Sequence, residues 1–439
     1  MKGKYIAALE IGSSKIIGAV GDYSPEGHLL RVLAVEQEES RDSVRYGIIH
    51  NPEEVAARVV KIIDRLNENP AVAPRRITGV YVGLSGRSMR SVASPVKLFF
   101  PEETEFTGEL LKRLRDDAKS ISLDSNQEIL DIVPRSYHID GMETTSPKGA
   151  MGKNISAVYD VIVGRIELKR NILRALSERT GISVRGMIIT ALASADIVLT
   201  NEEKRLGCML VDFGAETTTV SIYRKGALCY FVTLPLGGRN ITRDLTSLSI
   251  LEEKAEEIKW ESGRAIAREN PSTLSVSGIK LSDVSNLVVA RAEEIVANVI
   301  EQIYYAGLKE KDLPGGVICI GAGAHLNGLL ELVANQSGLN TRMGRLPDYI
   351  EAAEPRSKRH DAIEVAALLY AGAHEGGEDC LEIPARHEDP YEEKEPEVKE
   401  DQEEDDEPKD EGKVKKFWRG FSTKFSNMFA PPSDDDSEL

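Results

Sequence analysis

Two short segments of this 439-residue chain place a carboxylate two residues before a glycine, Glu10 with Gly12 and Asp212 with Gly214. The first segment reads YIAALEIGSSKIIGAV, then a turn at 24–27, then HLLRVLAV. The second reads CMLVDFGAETTTVSIY, then a turn at 224–226, then ALCYFVTL. Corresponding residues lie 202 positions apart. Each unit is an apolar strand, an acid-x-Gly turn, a second strand, a short glycine-containing turn and a third strand. A buried strand delivers a carboxylate to its C-terminal end, and the glycine lets a tight hairpin bring backbone N–H groups close to an anion. Two such hairpins facing one another would grip a polyphosphate and its Mg²⁺ from both sides. Taken singly, each motif fits an unrelated β-hairpin equally well. Their matched length and their repetition bring the chemical reading level with that one.

Two more motifs point the same way. A short apolar strand at 317–320 runs into Gly321, Ala322 and Gly323, with a helix expected from about 325 to 336. Glycines at a strand-to-helix turn let a ligand approach the backbone. Glu256 and Lys259 stand three apart on a helical pattern before Gly263, hence on one face. They could hold ribose hydroxyls and flank an adenine, although on spacing alone a solvent-side salt bridge is the simpler reading.

The elements that must position these residues are mixed. Apolar, β-rich runs recur at 5–9, 16–20, 80–84, 161–163, 209–211, 219–223 and 317–320. Helical patterns lie at 53–66, 167–179, 251–267 and 284–305. Such alternation predicts a layered α/β fold over residues 1 to about 375. The length allows two or three domains. No run approaches eighteen consecutive apolar residues, so no transmembrane helix is expected. The N-terminal apolar run is too short for a signal peptide and soon meets Glu10. Cys208, Cys229, Cys319 and Cys380 have no C-x-x-C spacing, which argues against a zinc ribbon or disulfide framework and for a reducing cytoplasm.

The net charge of −17 argues against nucleic acid as a partner, and it is unevenly placed. Residues 378–411 hold 18 acids and 4 bases, 412–430 hold 5 bases and no acid, and 431–439 hold 4 acids, which leaves the body with only −4. The acidic stretch has almost nothing apolar and is expected to be a disordered linker. Its span as a flexible coil is about 30–35 Å.

The basic island is a different object. Val414, Phe417, Trp418, Phe421, Phe425, Met428 and Phe429 fall on a helical arc of about 120°, with Lys413, Lys415, Lys416, Arg419 and Lys424 outside it. The segment is about 24 Å long as a helix, too short and too charged to span a bilayer. Aromatic residues on one face and cations on the other suit an anionic membrane surface. Packing onto a partner or onto the body is the other reading of that periodicity.

The order hairpin, connecting helix, hairpin, glycine loop resembles the actin / Hsp70 / sugar kinase superfamily, in which ATP sits between two related domains. The finer resemblance, over almost the whole chain, is to the FtsA family of bacterial cell-division proteins. It is carried by ALEIGSSKI, GVYVGLSG, DIVPRSYHIDG, ALASADIVLTNEEKRLGCMLVDFGAETTTV, LPLGGRNITRDL, EEIKWESG, VICIGAGAHLNGL and AIEVAALLYAG.

The resemblance implies an actin-like (ribonuclease H-like) two-domain fold with an inserted 1C subdomain, an acidic linker and a C-terminal amphipathic helix. Subdomain 1A would take 1–84 and 160–205, with a return at 346–377. The 1C insert would take 85–159, subdomain 2A 206–241 and 307–345, and 2B 242–306. The linker, helix and acidic tail would follow at 378–411, 412–430 and 431–439.

By the same resemblance Gly12, Ser13, Ser14 and Lys15 form the first phosphate loop, and Asp212, Gly214, Ala215, Glu216 and Thr217 the second. Glu10 and Asp212 would hold Mg²⁺ through waters. Glu256 and Lys259 would face ribose and adenine, with Gly321, Ala322 and Gly323 on the adenosine side. The ligands implied are ATP and Mg²⁺, and the partners FtsZ, further copies of the chain in actin-like filaments, other division proteins and the membrane. The place implied is the cytoplasmic face of the inner membrane at the division septum, held peripherally through Val414, Lys415, Lys416, Phe417, Trp418, Arg419, Phe421, Phe425, Met428 and Phe429. The sequence departs from the wider superfamily at Glu10, where Asp is usual, and at Ala215 and Glu216, where a second loop often reads D-x-G-G-G-T. Extra bulk and a negative charge beside the γ-phosphate lead us to expect at most a slow ATPase. A sugar or acetate kinase, and a pilus-assembly actin homologue, are the alternatives from the same superfamily.

Overall fold

A computed structural model describes residues 3–267, 275–276, 278–352, 362–375 and 379–384. The expected basic helix and most of the acidic linker lie outside these residues.

The first lobe is built on β1 (Lys4–Ile11), β2 (Lys15–Ser24) and β3 (Leu29–Glu39), an antiparallel meander. Helix α1 (Pro52–Glu68) follows and packs on β2 and β3. Its start is set by Asn51, whose side chain accepts the Glu54 N–H at 3.3 Å, and by Pro52 in the first turn. Its buried face is Val55, Val59, Ile62, Ile63 and Leu66, the i, i+4, i+7 spacing of an amphipathic helix. Strand β4 (Gly79–Leu84) then adds parallel to β1.

The insert comprises β5 (Arg90–Glu105), α2 (Gly108–Asp117), β6 (Gln127–Ile139) and β7 (Met151–Arg165). β7 lies between β5 and β6, antiparallel to both. Phe106, Leu114, Ile132, Ile155, Tyr159 and Val161 form a separate core there. The last insert strand continues past position 159 to Arg165 before the chain re-enters the first lobe. Strand β8 (Ser183–Ile189) closes that sheet parallel to β4, and α3 (Thr190–Val198) follows.

The second lobe repeats the plan. Strands β9 (Cys208–Phe213), β10 (Thr218–Arg224) and β11 (Ala227–Leu234) form the meander. Helices α4 (Gly238–Thr246), α5 (Glu252–Ser262) and α6 (Leu281–Tyr305) come next. Strand β12 (Val317–Ile320) pairs parallel with β9, and β13 (Thr341–Met343) with β12. Helix α7 (Leu329–Ser337) lies between those two strands in sequence.

The internal repeat holds to the residue. Glu10 faces Ile17 and Ile11 faces Ile16 in the first hairpin; Asp212 faces Thr219 and Phe213 faces Thr218 in the second, each pair displaced by 202. The parallel neighbours follow suit, Ala8 beside Tyr81 and Leu210 beside Ile318. Both lobes therefore run third strand, second, first, then two parallel strands. The expected actin-like α/β fold with an insert is what the chain forms.

Helix α8 (Ile363–His374) returns to the first lobe, packed against α3 and β1. It is apolar on nearly all sides because it is buried on nearly all sides. Described residues beyond 378, where the linker is expected to start, still belong to the first lobe. Cys380 and Leu381 are buried in the first lobe, and Leu381 and Glu382 pair with Arg76 and Ile77. Two apolar anchors and a short ladder outweigh the acids around them, so the chain stays folded through Pro384.

Candidate functional site

The two repeated turns meet in one place. In the first, the Gly12 N–H donates to the Lys15 carbonyl at 3.0 Å; in the second, the Gly214 N–H donates to the Thr217 carbonyl at 2.9 Å. Both turns follow the strand that carries the acid, so Glu10 and Asp212 emerge side by side. Burial pushes the Glu10 carboxyl up to about 7; Asp212 adds to this and Lys15 opposes it. Burial likewise raises Asp212 to about 6.

A third carboxylate joins them that sequence reasoning missed. Glu364, in the first turn of α8, is only 8% exposed. Burial, and then the charges of Asp212 and Glu10, push it well above the usual carboxylate range. Its signal was a single acid inside an otherwise apolar helix, AIEVAALLYAG. Among the described residues no group of three or more His, Cys, Asp or Glu is close enough to hold a metal alone.

The glycine loop closes the cluster from the second lobe. Gly321 has φ +84°, and a Cβ there would collide with the Asp212 carboxylate and lie 2.6 Å from the Phe213 carbonyl. Only glycine fits. The three residues Ala322, Gly323 and Ala324 continue as a 3-10 turn to His325, and the α-helix begins at Leu329 rather than 325.

The second turn also caps α4. The Gly214 and Ala215 carbonyls accept the N–H groups of Gly238 and Arg239 at 3.0 and 2.7 Å. One helix further out, Lys259 is 6% exposed and donates to both Glu256 carboxylate oxygens at 2.7 Å, to Thr242 Oγ1 at 3.0 Å and to the Gly238 carbonyl at 3.3 Å. Lys259 is the buried partner and is turned toward the loop, while the Glu256 side chain remains 44% exposed. Burial draws the Lys259 ammonium below its usual range, against the pull of Glu256. Burial also opposes the charge on Glu256, but Lys259, Thr242 and Trp260 prevail and hold it below the ordinary value.

Glu216 corrects an expectation. Its side chain is buried and does not present a free negative charge. It accepts the Tyr46 N–H at 2.7 Å and guanidinium hydrogens from Arg243 at 2.8 Å, Arg239 at 3.3 Å and Arg45 at 3.4 Å. Three guanidinium groups and an amide surround it, so it is a paired charge rather than the bare one the sequence led us to expect. Ser13 plays the matching part in the first loop, where its Oγ accepts the Gly47 N–H at 2.9 Å. Ser14 uses its carbonyl to accept the Ser40 N–H at 3.0 Å. Direct contacts link part of the expected set: Gly321 lies against Asp212, Gly214 and Ala215 hold the start of α4, Lys259 reaches Gly238, and Ser13 and Glu216 both hold the 46–47 turn.

Comparison with known proteins agrees with this architecture. The model of the family described as cell division protein FtsA matches residues 209–358, and that of the SHS2 domain inserted in FtsA matches 86–163. The cell division protein FtsA of Porphyromonas gingivalis is 31% identical over 375 residues, covering 83% of this chain and 77% of that protein. That of Pseudomonas aeruginosa is 27% identical, covering 78% and 83%. Among solved structures, the PilM-PilN type IV pilus biogenesis complex superposes with a TM-score of 0.60 at 17% identity, covering 84% of this chain and 98% of that one, a likeness of fold. The repeated lobes, the inserted domain and a relative above 30% identity make this chain a member of the FtsA family of cell-division proteins.

Proposed function

We propose that the chain binds Mg²⁺-ATP between its lobes and acts as a membrane tether for FtsZ at the division site. The observation that supports the nucleotide half is the 202-residue repeat, two acid-glycine turns in matched register whose half-buried carboxylates, Glu10 and Asp212, interact through their charges. The residues fit the ligand. Glycine turns suit close approach of phosphate oxygens, Lys15 supplies a cation, and Glu10 and Asp212 supply carboxylates for a hydrated Mg²⁺. That ion would neutralise the carboxylates and the phosphates together. Glu256 and Lys259 would then face the ribose, with Gly321, Ala322 and Gly323 beside the adenosine.

The membrane half rests on the sequence from 412 to 430, whose aromatic face and cationic flank suit an anionic leaflet. No helix among the described residues is long and apolar enough to cross a membrane. One interfacial helix binds weakly and reversibly; several, linked through a filament of copies, gain avidity by effective concentration.

Co-sedimentation with anionic vesicles tests this reading. The full chain with Mg²⁺-ATP should carry FtsZ into the pellet, and a chain lacking 412–430 should leave both in the supernatant. Equal pelleting of FtsZ by the two chains would overturn the tether.

A further inference from the structure

Between the two candidate phosphate loops sits a very small hairpin. Val44 pairs with Ile49 and Arg45 with Ile48. Its two turn residues, Tyr46 and Gly47, have φ of +51° and +74°. Two consecutive left-handed residues make the mirror-image turn that closes tight hairpins. Tyr46, as a non-glycine residue, adopts this conformation against its preference.

Three backbone polar groups of this turn are engaged, in two directions. The Tyr46 N–H goes to Glu216 of the second loop and the Gly47 N–H to Ser13 of the first, at 2.7 and 2.9 Å. The Tyr46 carbonyl accepts the Arg87 N–H at 2.9 Å, and the Arg87 guanidinium lies 4.9 Å from the centre of the Tyr46 ring. Gly47 packs so tightly on the same segment that a Cβ would lie 2.5 Å from Gly86 Cα and 2.8 Å from the Ser85 carbonyl. The segment 85–89 is the root of the insert and leads directly into β5. Met89 at its end accepts the Thr233 N–H of the second lobe at 2.9 Å. Both acceptors in the loops are buried, so water does not compete for these bonds.

We propose that the 44–49 hairpin couples occupancy of the phosphate loops to the position of the insert. The inference rests on the nucleotide reading above and adds a route out of the site. A ligand that draws Ser13 and Glu216 together tightens the amides of Tyr46 and Gly47. That movement reaches Gly86 and Arg87 through a direct contact and a hydrogen bond, the kind of contiguous network that carries coupling. The coupling is reciprocal: whatever grips the insert changes nucleotide affinity by the same factor.

Hydrogen exchange read by mass spectrometry on the full chain tests it, at saturating Mg²⁺-ATP and without nucleotide. In the unmodified protein, nucleotide should slow exchange at 12–17 and 212–219, and also, several-fold, at 85–92. In Gly47→Ala, whose added methyl group meets Gly86 and Ser85, and in Arg87→Ala, which removes the contact with the Tyr46 ring, the loops should still respond while the response at 85–92 is lost or at least halved. Should Gly47→Ala fail to fold, Arg87→Ala alone decides. Slowing at the loops with none at 85–92 in the unmodified protein overturns the coupling and leaves the nucleotide site standing. Persistence of the 85–92 response in the variants also overturns it. No slowing at the loops overturns the nucleotide reading and this inference with it.

Discussion

The backbone N–H of Tyr46, in the first lobe, donates to Glu216 Oε2, in the second, across 2.7 Å. The same carboxylate gathers Arg239 and Arg243 from its own lobe and Arg45 from the other. One buried residue therefore holds the two halves of the cleft together. Glu216→Ala would leave the Tyr46 amide without its acceptor and three guanidinium groups without their shared one, although Arg45 keeps Asp42 at 3.3 Å and Arg239 keeps Glu252 at 3.8 Å. Removing one partner of a buried ionic cluster costs about 3–5 kcal/mol. Thermal and urea unfolding of the ligand-free protein should show a loss of that size. Arg243→Ala should cost less, because Arg243 is 36% exposed and two other arginines remain. A Glu216→Ala variant within half a kcal/mol of the unmodified protein would mean that Glu216 does not bind the lobes together.

The raised carboxylates make ligand-free stability depend on pH. Glu10 binds its proton more tightly folded than unfolded, with a value of about 7 against an ordinary 4.5, and Asp212 about 6 against 3.8. The folded state thus holds more protons between about pH 4 and 7, and stability falls as pH rises through that window. Glu364, raised by burial and by the same two neighbours, acts in the same direction. At about 1.4 kcal/mol per unit, Glu10 alone contributes on the order of 3 kcal/mol. Melting at pH 5 should therefore exceed melting at pH 8 in the absence of Mg²⁺ and nucleotide. Glu364→Gln should flatten the profile; an unchanged profile in that variant would remove Glu364 from the cluster.

How much of this was legible in the sequence follows from the physics of each part. The hairpin repeat was, because an acid-x-Gly turn between apolar strands leaves a pattern that recurs at a fixed distance. The catalogue of loop residues came instead from the resemblance to the FtsA family. Glu364 was not, because an all-round apolar helix has no periodicity against which one carboxylate stands out. The Tyr46 and Gly47 turn was not, because its two-residue strands are too short to show alternation. Strand β5, with SVASPVKLFFPEETE after Arg90, was obscured by its half-exposed, polar composition. Cys380 and Leu381 were hidden within the acidic run, where composition outvoted two apolar residues that tertiary contacts bury.

The anchor can be tested apart from the cleft. Trp418 and Phe421 lie within the apolar arc of the 412–430 segment. Burying each ring contributes about 1.5–3 kcal/mol, and a carboxylate placed there is also repelled by anionic lipid. Trp418→Glu or Phe421→Glu should abolish vesicle binding and leave nucleotide binding intact, since neither residue is among those proposed to hold nucleotide. Lys415→Ala with Lys416→Ala should weaken binding in part, more on anionic than on neutral vesicles, with the difference shrinking at high salt. Sedimentation of the aromatic-to-Glu variants with vesicles would show that the segment is not the anchor.

The central claim is that the paired acid-glycine turns hold Mg²⁺-ATP, and equilibrium titration with a fluorescent ATP analogue measures it most directly. The unmodified chain should bind in a Mg²⁺-dependent way, and Asp212→Ala should weaken binding by at least about tenfold, or 1.4 kcal/mol. Lys15→Ala should weaken it less, because Lys15 acts as a point charge beside backbone donors that remain. Equal affinity of the Asp212→Ala and unmodified proteins would contradict the account.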